Sequence, residues 1–218
     1  MTARVTFDQE LEDLNDRLIK MGTTVENAID ESIAALKNKD IESARGIIAN
    51  DRVVDELEKQ IEYKCLTLLL RQQPVAKDLR KISTALKIIT DMERIGDHAA
   101  DIAELIIEIT DGNVYEATKH ILPMTEVVIT MVHDSIWAFT KDELELAHEV
   151  IARDDIVDNL FADLKLELAE VIRSEKDTGK HALDYLMIAK YLERIADHAV
   201  NICEWVEFSQ TGKHIVNK

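Results

Sequence analysis

The sequence predicts an all-α protein made of two tandem three-helix bundles, and three observations support this fold class. The chain has 218 residues with only 6 glycines and 2 prolines, and 5% of it is aromatic, so residues that favour turns and strands are scarce. Apolar residues make up 46% of the chain, which is enough for a hydrophobic core. The second half also repeats the first. We therefore expect six long antiparallel helices related by internal duplication.

Helix-capping residues divide the first half into three predicted helices. Asp40 and Ser43 suit the cap of the second helix, because their short polar side chains can accept backbone N–H groups. Pro74 suits the first turn of the third helix, where its missing N–H costs nothing. The three helices are expected over about 6–38, 40–71 and 74–110.

A second set of three helices is predicted beyond a clear break at Asp111, Gly112 and Asn113. Thr140 and Glu143 have the spacing of a capping box for the fifth helix. A turn near 177–179 precedes the sixth helix, which is expected to end near residue 208. The predicted domains are residues 1–110 and 113–210, followed by a C-terminal tail at 211–218.

The internal duplication is clearest in the third and sixth helices. ERIGDHAADIAE, which begins at Glu93, returns as ERIADHAVNICE from Glu193, with eight of twelve residues identical. Ala49–Asp55 aligns in the same way with Ala152–Asp158, 103 residues later. Each half is therefore one structural unit, and its short connections predict an up-down-up order of helices.

Charge and sequence patterns restrict the functional classes. With 43 acidic against 26 basic side chains, the net charge is −17, which argues against nucleic acid or anionic lipid as a main partner. Cations and basic protein surfaces suit this charge. Neither a signal peptide nor an apolar run of about 18 residues is visible, so we expect a cytoplasmic protein without direct membrane insertion. Cys65 and Cys203 lie in apolar helical patterns and are interpreted as reduced core residues.

Carboxylates paired at i, i+4 are the main candidate site. Like charges at this spacing repel, and an ordinary solvated face would include lysines that relieve the repulsion. Antiparallel packing within each unit should bring two pairs together across neighbouring helices. The predicted groups are Asp51, Asp55, Glu93 and Asp97 in the first unit, and Asp154, Asp158, Glu193 and Asp197 in the second.

A bound cation would relieve the repulsion within these groups. Oxygen ligands select hard ions, so magnesium, calcium, manganese or, with bridging carboxylates, iron is expected. The alternative interpretation is an ordinary solvated helix face. The second group is predicted to be the weaker site, because Asn201 replaces Asp101 and Phe161 replaces Glu58. His98 and His198 lie about 100° further round their helices than the paired carboxylates and are interpreted as packing or hydrogen-bonding residues.

No motif in the sequence requires catalysis. A ferritin-like di-iron site needs two Glu-x-x-His motifs, and the chain has one, at Glu145 and His148. The corresponding residues of the first half are Glu42 and Arg45, so we interpret the motif as accidental. Phosphate-binding loops and nucleophile motifs are also absent. Two alternatives stay open beside a regulator: a carboxylate-bridged protein for metal storage or redox chemistry, and a structural adaptor without metal.

The duplicated motifs resemble those of the PhoU family of bacterial phosphate-uptake regulators. The resemblance is carried by Asp78–Arg80, by Glu93–Ala99 and by Tyr191–Ala199, and it covers nearly the whole chain. Ala196 stands where a second glycine is usual in the family, and a small residue there still allows close helix packing.

The resemblance implies a non-enzymatic negative regulator of the phosphate-starvation response. Such a protein couples a phosphate ABC transporter, through its ATPase subunit, to a two-component sensor histidine kinase. It is expected to be a cytoplasmic homodimer that the transporter recruits to the inner face of the membrane. The family also implies metal ions, in some members iron clusters, bound by the eight paired carboxylates given above.

Overall fold

The computed structural model describes residues 3–71, 75–109, 118–174 and 179–213. Within these ranges the chain forms six long α-helices and no β-strand, so the predicted fold class is confirmed. The helices are α1 (Ala3–Asn38), α2 (Ile41–Arg71), α3 (Ala76–Ile109), α4 (Thr118–Lys141), α5 (Leu144–Ser174) and α6 (Gly179–Thr211).

The predicted cap of α2 is confirmed. Asp40 Oδ1 accepts the backbone N–H of Ser43 at 3.1 Å, and its other carboxylate oxygen accepts the Ser43 hydroxyl at 2.8 Å. Lys39, just before this cap, turns the chain with a φ of 54°. Of the turns predicted at 72–77, 111–113 and 177–179, residues 72–74, 111–113 and 177–178 lie outside the described residues, as does most of the C-terminal tail.

The capping box predicted for α5 is wrong. Thr140 lies inside α4, and its hydroxyl donates to the carbonyl oxygen of Trp137 at 3.2 Å. The turn instead comes at Asp142, whose φ of 58° matches that of Lys39 in the first unit. Glu143 consequently occupies the place of Asp40, and its carbonyl oxygen accepts the N–H of Ala147 at 3.3 Å.

The two bundles pack side by side. Their interface is formed by α3 against α6 and by α1 against α4. Among the described residues, α2 and α5 contact helices of their own bundle alone and lie on the outside. One continuous set of buried apolar side chains fills both bundles and the interface between them. The exact limits of the two predicted domains stay a prediction.

Small residues permit the closest helix approaches. A Cβ added at Gly22 of α1 would lie 2.5 Å from Cδ1 of Ile136 on α4, so this glycine sits directly under a core side chain of the other bundle. A Cβ at Gly96 would lie 3.1 Å from a Val54 methyl group. Ala196 occupies the equivalent place in α6 and is fully buried, so the second unit accommodates the extra methyl group.

Both cysteines are confirmed as free, buried core residues. Burial raises the pKa of the Cys65 thiol to about 12, which keeps the thiol protonated at neutral pH. None of the described helices combines the length and apolar character that crossing a membrane requires.

Candidate functional site

The first acidic cluster, Asp51, Asp55, Glu93 and Asp97, lies where α2 faces α3. Burial raises the pKa of Asp51, and the negative charges of Asp97, Asp55 and Asp101 raise it further. The pKa of Glu93 is raised mainly by burial and then by Asp97 on the same helix, with Asp55 of α2 adding to it. The antiparallel register thus brings the two carboxylate pairs together, and they repel one another.

Arg94 relieves part of this repulsion at the surface. Its Nη1 lies 3.0 Å from Oδ2 of Asp97, and its Nε lies 3.5 Å from Oε2 of Glu93. The Arg94 side chain is 57% exposed, so these ion pairs are screened by water and contribute little to stability. Among the described residues, the charges that shift the pKa of Asp51 in the same cluster all belong to carboxylates.

The second acidic cluster, Asp154, Asp158, Glu193 and Asp197, lies between α5 and α6. Burial raises the pKa of Asp154 to about 6, and the charges of the other three members add to the shift. Oδ1 of Asp154 is buried and has no hydrogen-bond partner among the described residues. Lys190 forms an ion pair with Glu193, so a basic side chain enters this cluster too.

The pKa of Asp154 in the second cluster is raised more strongly than the sequence of that cluster suggests. Phe161, which replaces Glu58, lies beneath the ammonium groups of Lys165 and Lys190, each less than 6 Å from the ring centroid. Where the first unit has the carboxylate of Glu58, the second therefore has a cation–π cluster at the edge of the acidic cluster. Asp154 still has a buried oxygen without a hydrogen-bond partner among the described residues. The prediction that the first cluster binds a cation more strongly than the second stays a prediction.

The acidic clusters fit a hard cation by their chemistry, although their side chains do not yet surround one. Among the described residues, no three His, Cys, Asp or Glu side chains converge in a ready coordination shell. Rotation of surface carboxylates would therefore have to accompany binding. The orphaned oxygen of Asp154 and the mutual repulsion around Asp51 are both relieved by a positive charge supplied from solution. Oxygen-only donors suit magnesium, calcium, manganese or iron.

His98 and His198 are confirmed as hydrogen-bonding and packing residues. Nδ1 of His198 lies 2.8 Å from Oδ1 of Asp91, which links α6 to α3. His98 contacts Asp101 at 3.2 Å, and its ring centroid lies 5.6 Å from that of His198. Burial lowers the pKa of His98 despite this carboxylate. The role of Asp91 was not predicted, because nothing in the sequence identifies its partner on the other bundle.

His148 of the Glu145-x-x-His148 motif contacts another helix of its bundle. Nε2 of His148 lies 2.8 Å from Oε2 of Glu207 on α6, which is a contact that joins two helices of one bundle. His148 therefore takes part in a surface ion pair with a residue that belongs to neither acidic cluster.

Asp154→Asn should stabilise the cation-free protein at pH 7.5 by about 1 to 2 kcal/mol. The folded pKa of Asp154, about 6, lies above its ordinary value of 3.8, so the folded state holds this proton more tightly. Protonated Asp154 therefore stabilises the wild-type protein. This contribution is complete below the unfolded pKa and is lost as the pH rises through about 6. Urea unfolding in chelator at pH 5 and pH 8 measures the difference. Asp163→Asn, an exposed residue on the same helix, is the control, and equal pH profiles for both variants would contradict the assignment.

A family model and curated relatives match this chain over most of its length. The model described as the PhoU domain matches twice, at residues 18–106 and 121–206. A phosphate-specific transport system accessory protein PhoU homolog of Clostridium acetobutylicum is 38% identical over 99% of this chain and 98% of the relative. Homolog 1 of Thermotoga maritima, with the same description, is 33% identical over 99% of this chain and 93% of its own length.

Solved structures have the same fold. The crystal structure of PhoU from Pseudomonas aeruginosa has a TM-score of 0.89 and 31% identity, and the match covers 95% of this chain and all of that one. The phosphate transport system regulatory protein PhoU from Streptococcus pneumoniae also has a TM-score of 0.89, at 28% identity over 97% of this chain and all of that one. Both confirm the two-bundle architecture.

Proposed function

Because this chain belongs to the PhoU family, we propose that it is a non-enzymatic accessory protein that regulates phosphate transport. The observation that carries the proposal is the 38% identity to a phosphate-specific transport system accessory protein, which extends over nearly the whole of both chains. Two matches to the PhoU domain cover both bundles, so the likeness is not confined to one duplicated unit.

In this proposal the protein acts by contact with two partners. It restrains the phosphate ABC transporter through the ATPase subunit and passes the state of the transporter to a sensor histidine kinase, which keeps the phosphate-starvation genes repressed. It works in the cytoplasm, as a homodimer, at the inner face of the membrane where the transporter lies. The net charge of −17 supports partners with basic surfaces, because opposite charge speeds and orients their encounter.

The acidic clusters have a supporting role as cation sites. Asp51, Asp55, Glu93 and Asp97 would hold an ion between α2 and α3, and the four equivalent residues of the second cluster would hold one between α5 and α6. α2 and α5 are the outer helices. A cation that neutralised the repulsion along one face of each would strengthen the packing of α2 against α3 and of α5 against α6. The cation would thus stabilise the surface on which partners bind.

Deletion of the gene should derepress alkaline phosphatase in phosphate-rich medium. The reason is that the kinase would no longer receive the signal of phosphate sufficiency from the transporter. Enzyme activity in the deletion strain, compared with a strain complemented by the wild-type chain, measures the effect, and we expect a rise of at least tenfold. Repression that survives deletion would overturn the proposed function.

A carboxylate-bridged metal-storage or redox protein is the second candidate function, supported by the buried, unpaired oxygen of Asp154. Elemental analysis of protein purified without added metal, followed by an oxygen-consumption assay, separates the two functions. A regulator should consume no oxygen, whereas a redox protein should show turnover that depends on the bound metal.

A further inference from the structure

A groove between α1 and α2 opens beside the first acidic cluster. Its deeper part is a cavity of about 270 Å³, and a second cavity continues it toward the end of α1. Both cavities are lined by Glu31, Ile47 and Asn50. Gly46 lines the second cavity and faces open space, since a Cβ added there would meet nothing within 4 Å. We refer to this feature as the α1–α2 groove.

The same place in the second bundle is filled by an arginine. Counting 103 residues on from Asn50 leads to Arg153, and the same step leads from Glu31 to Asp134. Nη1 of Arg153 donates to Oδ2 of Asp134 at 2.5 Å, so α5 supplies a guanidinium to a carboxylate of α4. Nη2 of Arg153 also lies 3.7 Å from Glu149, the residue that corresponds to Gly46. The Arg153 and Asp134 side chains are 29% and 19% exposed, so this pair is half-buried.

The first bundle keeps the carboxylate of this pair and lacks the cation. Glu31 is exposed, and its side chain has no hydrogen bond or ion pair with the part of the chain that the structure describes. The side chain of Asn50 is too short to take the place of the Arg153 guanidinium, and it carries no charge. The described residues that line the two cavities include no lysine or arginine, while Asp40 and Asp51 lie with Glu31 along the groove.

We propose that the α1–α2 groove binds an arginine side chain of a partner protein, which takes the place that Arg153 fills internally in the second bundle. Glu31 would accept the guanidinium in two hydrogen bonds, and the side-chain oxygens of Asn27 and Asn50 offer further acceptors at the rim. Ile47 and Val54 provide an apolar wall for the aliphatic part of the side chain. Arginine fits better than lysine, because its planar group can span several acceptors.

Charge complementarity supports a protein partner as the source of this arginine. A chain of net charge −17 attracts basic surfaces, and the described lining of the α1–α2 groove holds carboxylates and no basic side chain. The inference rests on the proposed function in one respect, that a regulatory partner supplies the arginine. The groove as a guanidinium site depends on the structure alone.

Binding of N-acetyl-L-arginine amide to the purified full chain tests the groove itself. The side-chain NH₂ resonances of Asn27 and Asn50 should shift in a saturable way in heteronuclear NMR spectra, while the neutral N-acetyl-L-citrulline amide should leave them unchanged. Asn50→Arg copies the second bundle and should weaken binding at least tenfold, and Glu31→Gln should do the same without a bulky side chain. Ala49→Arg, an exposed position beside the groove, is the control for added charge.

Arg153→Asn provides a positive control, because it should open a second site that takes the same probe near Asp134. Absence of saturable shifts at Asn27 and Asn50 in the wild-type chain would overturn the proposal, as would equal affinity in Asn50→Arg.

Alkaline phosphatase activity in cells tests the partner. At equal protein levels, Asn50→Arg should raise the activity in phosphate-rich medium at least fivefold relative to Ala49→Arg. Normal repression with Asn50→Arg would overturn the partner's use of the groove. Failure of the proposed function is recognised separately, since repression would then also survive deletion of the whole gene.

Discussion

Stabilisation by divalent cations should disappear when Glu93→Gln, Asp97→Asn, Glu193→Gln and Asp197→Asn are combined in one protein. These substitutions remove half of each acidic cluster and keep the side-chain shapes. A cation that binds the folded state at 100 times its dissociation constant stabilises the protein by about 2.7 kcal/mol per site. For a chain of this size that corresponds to a rise in Tm of roughly 5 to 11 °C.

Thermal unfolding at pH 7.5 with magnesium, calcium, manganese or ferrous iron, each compared with chelator, measures this effect. The wild-type Tm should rise with at least one of the ions. The fourfold variant should respond to none of them, and in chelator it should be at least as stable as the wild type because repulsion around Asp51 and Asp154 is relieved.

Glu12→Gln with Asp16→Asn is the matched control. These exposed residues form an acidic pair at the same spacing on α1, so the charge lost per pair is identical. The control should keep the full cation response of the wild type. A fourfold variant that kept the response of the control would remove the acidic clusters as sites. A loss of response in proportion to the charge removed from each protein would show that cations act through overall charge.

Gly22→Leu should destabilise the protein by about 2 to 3 kcal/mol, since a larger side chain has to displace the packed core at the crossing of α1 and α4. Even a Cβ at this position would lie 2.5 Å from Cδ1 of Ile136, which is 4% exposed. Because α1 and α4 belong to different bundles, the substitution also weakens one of the two contacts between described helices that join the halves. We expect Tm to fall by roughly 4 to 12 °C.

Gly46→Leu is the control for this substitution. Gly46 also lies inside a helix, but a Cβ there meets nothing within 4 Å. The gain in helix propensity should then dominate and raise stability by about 0.5 to 1 kcal/mol. Urea unfolding of both variants distinguishes overpacking from propensity. A Gly22→Leu protein as stable as the wild type would contradict the close approach of α1 and α4.

Helix order and the first acidic cluster were largely predictable from the sequence. Their signals are local, since capping residues such as Asp40 and the repeat around Glu93 need no knowledge of distant contacts. The wrong capping box at Thr140 has a local cause too. Thr140 and Glu143 have the spacing of a box, but the chain turns at Asp142, and alignment with Lys39 would have indicated this.

Contacts between the bundles were not predictable in the same way. Apolar periodicity identifies the face of a helix that is buried, but it does not identify the helix of another unit that covers it. The ion pair of His198 with Asp91 and the packing of Gly22 beneath Ile136 both depend on that choice.

The sequence by itself therefore determined six helices, an internal duplication and two sets of carboxylates that meet across antiparallel neighbours, because spacing along a helix fixes which side chains share a face. The tertiary structure alone decided which groups those carboxylates and their neighbours contact. Arg153 pairs with Asp134 in the second bundle, whereas Asn50 lines an open groove in the first, and the buried Oδ1 of Asp154 has no hydrogen-bond partner among the described residues. The burial of a side chain and its pairing with another depend on which helix surfaces pack together. Contacts between residues far apart in the sequence determine this packing.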